Sequence, residues 1–69
     1  MELTIRMKKL NEKDKAFVMG HGKKYGLRLY DSAEETIIKA GGSYDEMASI
    51  IIVVSYLGCK EIVLEQEAD

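Results

Sequence analysis

The chain has 69 residues, 46% hydrophobic and 32% charged, with a formal net charge of −2. That is room for one domain, residues 1–69, built on one core, and the composition is that of a globular chain. Its ten basic and twelve acidic residues are mixed along the chain. Such a balance gives no electrostatic reason to expect nucleic acid, whose non-specific affinity comes from neutralised phosphates.

A domain this small buries only about 60% of its unfolded surface, so oligomerisation would help it. The basic residues gather early, at Lys8, Lys9, Lys13, Lys15, Lys23, Lys24 and Arg28, and the tail carries Glu61, Glu65, Glu67 and Asp69. Both groups read as solvated faces, with nucleic-acid binding through the lysine-rich segment 8–28 as an alternative. Cys59 is the single cysteine, so no internal disulfide is possible and nothing points to secretion. The longest apolar run, Ile50–Val54, has five residues, against about 18 for a membrane span. The N-terminus alternates instead of carrying an apolar signal block. A soluble cytoplasmic protein without membrane association is expected.

Met1–Lys8 alternates strictly, with Met1, Leu3, Ile5 and Met7 against Glu2, Thr4, Arg6 and Lys8. That period of two predicts a half-buried strand. From Leu10 to Tyr25 the spacing predicts a helix. Asn11 and Asp14 form a capping pattern, and Val18, His21 and Tyr25 fall on one face with Phe17 beside them. Gly20 and Gly22 count against it at about 1 kcal/mol each, and a strand over Ala16–Gly20 is the alternative. Leu27–Asp31 reads as a strand.

The next segment reads two ways. Ser32-Ala33-Glu34-Glu35 is a capping-box pattern that could start a helix over Ala33–Ala40, ended by Gly41. Equally, Asp31–Glu34 could be a turn and Glu35–Lys39 a strand. The strand makes the better sheet and is the expectation. A helix over 33–40 in place of the third strand is the runner-up, and it moves the Phe17 region into a strand.

Gly41-Gly42 is a break. Ser43 then caps a helix over Ser43–Leu57, with Asp45 and Glu46 complementing its dipole. On a helical wheel Tyr44, Met47, Ala48, Ile51 and Val54 share one face, flanked by Ile50 and Leu57. Opposite lie Asp45, Glu46 and Ser49, but also Ile52, Val53 and Tyr56. The helix is therefore apolar nearly all round, and its surplus must be covered by something. Gly58 ends it, Cys59–Glu65 gives a last strand, and Glu67–Asp69 should fray. The expected fold is α+β: an open-faced sandwich, β-α-β-β-α-β, with an antiparallel four-stranded sheet and two helices on one face.

Little in the chain carries chemistry. His21 has no further nitrogen or sulfur ligand at short spacing and no orienting partner, and reads as partly buried among aromatic residues. The glycine pairs lack the spacing of a phosphate-cradling loop. Glu34-Glu35 and Asp45-Glu46 are adjacent on the chain and do not face each other on a helix. Cys59 follows a helix stop, with no helix N-terminus to lower its pKa, and reads as a small core residue. No enzyme activity, metal or cofactor is expected.

The order of elements, and Ser49-Ile-Ile-Ile-Val-Val-Ser55-Tyr-Leu-Gly58 leading into a strand, resemble HPr, the phosphocarrier protein of bacterial sugar phosphotransferase systems. Phe17-Val18, Lys24-Tyr25 and Leu27-Arg28-Leu29 are similar to the family's first helix running into its second strand. The resemblance implies that Ser49 holds the position of a regulatory serine. It also implies that Ile50, Ile51 and Val54 form an exposed docking face, where the helical wheel exposes Ile52, Val53 and Tyr56. The chain departs from the family before the first helix, where Lys9-Leu10-Asn11-Glu12-Lys13-Asp14 holds neither the phosphoryl-accepting histidine nor its arginine. The expected function is a non-catalytic interaction or regulatory module, with a protein partner or a second copy as ligand. A phosphoryl carrier is the alternative.

Overall fold

The computed structural model describes residues 1–66, so the expected fraying of Glu67–Asp69 lies outside the described residues. The elements run β1 (Glu2–Lys8), α1 (Glu12–Gly22), a 3₁₀ turn (Lys23–Tyr25), β2 (Arg28–Asp31), β3 (Glu35–Gly41), α2 (Tyr44–Ser55) and β4 (Cys59–Glu65). The strands form one antiparallel sheet in the order β2-β3-β1-β4. β3 thus lies between the parallel pair β1 and β2, and β1 between the parallel pair β3 and β4. This is the split β-α-β arrangement, two interleaved β-α-β units. The expected α+β open-faced sandwich is the fold.

Register divides the sheet into two faces. Leu3, Ile5 and Met7 of β1 stand opposite Ala40, Ile38 and Thr36 of β3, and all six are fully buried. Leu10, Val18 and Leu27 join them, with Met47, Ile50 and Val54 of α2 above. The other face carries Thr4, Arg6, Lys39 and Val63 and is not covered by any of the described elements, which is the polar alternation an antiparallel sheet allows. There Arg6 lies 3.1 Å from Glu35 and 3.6 Å from Glu61, an exposed cross-strand triad. Both carboxylates raise the arginine pKa, Glu35 more strongly.

Residues 35–41 form a strand, as expected, and the runner-up helix does not form. The capping-box signal at Ser32 is nevertheless real. Its hydroxyl accepts from the Glu35 N–H at 3.1 Å, as an N-cap would, and the Ser32 N–H donates to the Glu35 carbonyl at 2.9 Å. The same side-chain bond that could start a helix closes a β-hairpin here. Tertiary pairing decides between the two, because as a strand the segment buries Thr36, Ile38 and Ala40 between β1 and β2.

Helix α1 tolerates both of its glycines. A Cβ on Gly22 would sit 2.1 Å from Cδ1 of Leu27, so only glycine lets the helix end approach the start of β2 that closely. The expected helix forms, and the alternative strand over Ala16–Gly20 does not. Asn11 caps the helix, its side-chain oxygen accepting from the Asp14 N–H at 2.8 Å. Gly26, at φ 68° in the left-handed region, then turns the chain into β2.

A polar relay pins α1 to the hairpin. The Leu10 N–H donates to the Thr36 hydroxyl at 3.0 Å, and that hydroxyl donates to Asp31 at 2.7 Å. Lys15 of α1 reaches the other Asp31 oxygen and also pairs with Glu12 at 3.0 Å. Thr36 is the one polar residue fully buried among the described residues, and it is completely satisfied. The Lys15 and Thr36 hydrogen bonds hold the Asp31 pKa below the usual carboxylate range.

Candidate interaction surface

Helix α2 begins with a reciprocal capping box. The Glu46 N–H donates to the Ser43 hydroxyl at 3.2 Å, and the Ser43 N–H donates to the Glu46 carboxylate at 2.9 Å. Those bonds, the backbone one foremost, hold the Glu46 pKa low. With that end fixed, Met47, Ile50 and Val54 face the sheet and are buried.

This orientation corrects two expectations. The helical wheel put Tyr44 and Ala48 in the core-facing group and left Ile50 on its flank. In the structure Tyr44 is 63% exposed, Ala48 is half-buried and Ile50 is buried. The helix is rolled toward α1, where Ser49, Ile50 and Val53 line a cleft of about 100 Å³ with His21, Lys24 and Tyr25. That orientation buries Ile50 in the core and leaves Tyr44 outside it. The docking face implied by the HPr resemblance is also not a free surface: Ile50 and Val54 are core residues and Ile51 packs half-buried against the core.

The expected outer residues divide. Ile52 and Tyr56 are 62% and 85% exposed, while Val53 is half-buried on the side of the cleft. Ser49 is exposed, and its hydroxyl donates to the Asp45 carbonyl at 3.1 Å. Sequence reasoning missed Tyr44, which joins Ala48, Ile52 and Tyr56 in a row spaced every four residues along the outer side of α2. That spacing was visible in the chain, but the roll of the helix was not. The row is an uncharged strip about 18 Å long at the helical rise of 1.5 Å per residue.

The other candidates do not build a site. His21 is exposed, against the expectation of partial burial, because α1 turns only Val18 and Gly22 fully inward. Its ring meets half-exposed Phe17 edge-on at 4.6 Å. Cys59 is half-buried, its thiol near the Val54 carbonyl at 3.5 Å, and desolvation raises its pKa. Among the described residues, no three histidine, cysteine or carboxylate side chains are grouped to hold a metal ion.

The early lysines are dispersed. Lys15 is engaged with Asp31 and Glu12, Lys9 donates to the Ser32 carbonyl, and Lys24 lies over the Tyr25 ring at 5.0 Å. No helix among the described residues is long and apolar enough to cross a membrane. Comparison with protein-family models, with curated proteins and with solved structures finds no match.

Proposed function

We propose that this chain is a non-catalytic protein-interaction or regulatory module that works through the outer row of α2. The observation that carries this reading is one helix with two apolar sides. Met47, Ile50 and Val54 complete the core, while Tyr44 and Ile52 of the same twelve-residue helix, and Tyr56 at its C-cap, stand in solvent. Scattered single apolar residues on a surface are ordinary, but several in one uncharged strip mark a contact surface.

The resemblance to HPr supports the reading through the order of elements and the Ser49–Gly58 segment. On that view the chain is a degenerate relative that keeps the architecture without the phosphoryl-accepting histidine. The working surface is then the row opposite the buried Ile50 and Val54. A phosphoryl-carrier role gains no support from His21, which sits in the last turn of α1 beside Phe17. Nucleic-acid binding through segment 8–28 gains none from lysines that are dispersed and partly engaged in ion pairs.

The test is photo-cross-linking in the native host cell, with a photoreactive amino acid at position 52 or 56 and, as control, at exposed Lys13 of α1. Adducts should form at 52 and 56 and be absent at 13, and an adduct of twice the chain mass identifies a second copy. Equal labelling at all three positions, or none, would discard the reading.

A further inference from the structure

We infer that the outer row of α2 is the contact between two copies of this chain, packed antiparallel about a twofold axis between Ala48 and Ile52. This rests on the interaction reading above and adds the partner and the geometry. Tyr44, Ala48, Ile52 and Tyr56 lie at successive i+4 steps, so they form one surface ridge of the helix. Reversed, the row reads tyrosine, isoleucine, alanine, tyrosine. In an antiparallel second copy, each Ala48 meets an Ile52 and each Tyr44 meets a Tyr56.

Small therefore receives large at the centre, as interdigitation at helix separations of about 8–10 Å requires. A tyrosine pair closes each end. A parallel copy would set Ile52 against Ile52 and Ala48 against Ala48, a bulge beside a gap.

Charge selects the same orientation. No charged residue lies between Met47 and Cys59; Asp45 and Glu46 precede the stretch and Lys60 follows it. Antiparallel packing sets the acidic start of each helix against the uncharged end of its partner's helix, and it opposes the two helix dipoles. Parallel packing would gather the carboxylates of both copies at one end.

The area sets the strength. Taking about 150–200 Å² for each of these large side chains, the exposed parts of Tyr44, Ile52 and Tyr56 offer on the order of 400 Å² per copy. That is about half the roughly 800 Å² per partner of a stable interface. The dimer is weak and reversible.

Sedimentation velocity from micromolar to millimolar concentration should show the wild-type chain shifting from monomer toward dimer. Ile52→Glu and Tyr56→Glu, both at exposed positions and checked for folding by thermal melting, should weaken the dimer about tenfold or more: the first sets like charges near the twofold axis, and the second sets a charge against the partner copy's Tyr44, next to its acidic helix start.

Orientation is read by mixing Asp45→Cys chains with Ser55→Cys chains, each also carrying Cys59→Ser. Positions 45 and 55 flank the row and face each other across the axis. Cysteines at the same position lie about 15 Å apart along the helix, beyond the roughly 7 Å Cα separation a disulfide allows. The mixed disulfide should dominate on oxidation. Dominant Asp45→Cys self-cross-links would overturn the antiparallel contact, and so would a dimer that persists unchanged in both glutamate variants. A monomer at every concentration would overturn the second copy as partner, yet adducts to another protein at positions 52 and 56 would still uphold the interaction reading.

Discussion

Helices α1 and α2 lie on the same face of one sheet but are held there by different means. α1 contributes Val18 and the backbone of Gly22 to the buried interior. Its position is set by the Asn11 cap, the relay from Leu10 through Thr36 to Asp31, the Lys15 ion pairs and close approach to Leu27. α2 is anchored by Met47, Ile50 and Val54 and by its capping box, and it still has Tyr44, Ile52 and Tyr56 left over. A helix fixed by directional polar contacts needs few apolar residues. One that carries more apolar surface than its core can use keeps apolar residues in solvent, and that contrast is why the proposed function rests on α2 rather than α1.

The largest expected effect separates the two sides of α2. Ile50→Ala should cost about 2–5 kcal/mol, through lost burial and the cavity left behind. Ile52→Ala, measured at a dilution where the chain is monomeric, should stay within about 0.5 kcal/mol. Chemical denaturation of both variants reads the difference, and equal losses would mean that the helix has no outer side.

Two substitutions in α1 give a smaller effect with opposite signs. Gly22→Ala drives a methyl into the side chain of buried Leu27, whose Cβ and Cγ lie 2.7 and 2.9 Å from the added carbon. Such overpacking should cost about 1–3 kcal/mol. Gly20→Ala meets nothing within 4 Å and should stabilise the helix by about 0.5–1 kcal/mol. A stabilising Gly22→Ala would show that α1 is not seated by that close approach.

The smallest effect is the acid dependence of the relay. Hydrogen bonds from Lys15 and Thr36 depress the folded-state pKa of Asp31. Its contribution is therefore present above the unfolded carboxylate pKa of about 3.9 and is lost as pH falls through the lower folded value. Asp31→Asn should flatten the part of the stability–pH curve below that point and leave its slope near neutrality unchanged. An unaltered acid limb in pH-dependent thermal unfolding would remove Asp31 from the account of how α1 is held.

Much of the architecture was legible along the chain because local patterns and tertiary structure agree. Strict alternation from Met1 to Lys8 matches the register of β1. Asn11 and Ser43 cap where their spacing predicts, and Gly58 follows α2. The hairpin was legible only as one of two choices, since the Ser32 side chain satisfies the Glu35 N–H in a helix start and in a turn alike. The buried role of Thr36 was not legible. A threonine in an apolar strand looks ordinary until Leu10 and Asp31, distant in sequence, arrive at its hydroxyl.

By itself the sequence determined the element types outside the 33–41 segment, the α+β class and the fact that α2 is too apolar for one face. Each follows from periodicity, capping chemistry or composition, which act over a few neighbouring residues. Tertiary structure alone decided the strand order β2-β3-β1-β4, the strand at 35–41 and the roll of α2. Those depend on which surfaces are available to be covered: the hairpin segment becomes a strand because β1 and β2 both pair with it, and Tyr44 is left outward because Met47, Ile50 and Val54 are the residues that enter the core. The outer row of Tyr44, Ala48, Ile52 and Tyr56 is thus written in the spacing of the residues, but its exposure is set by which side of α2 the core takes up.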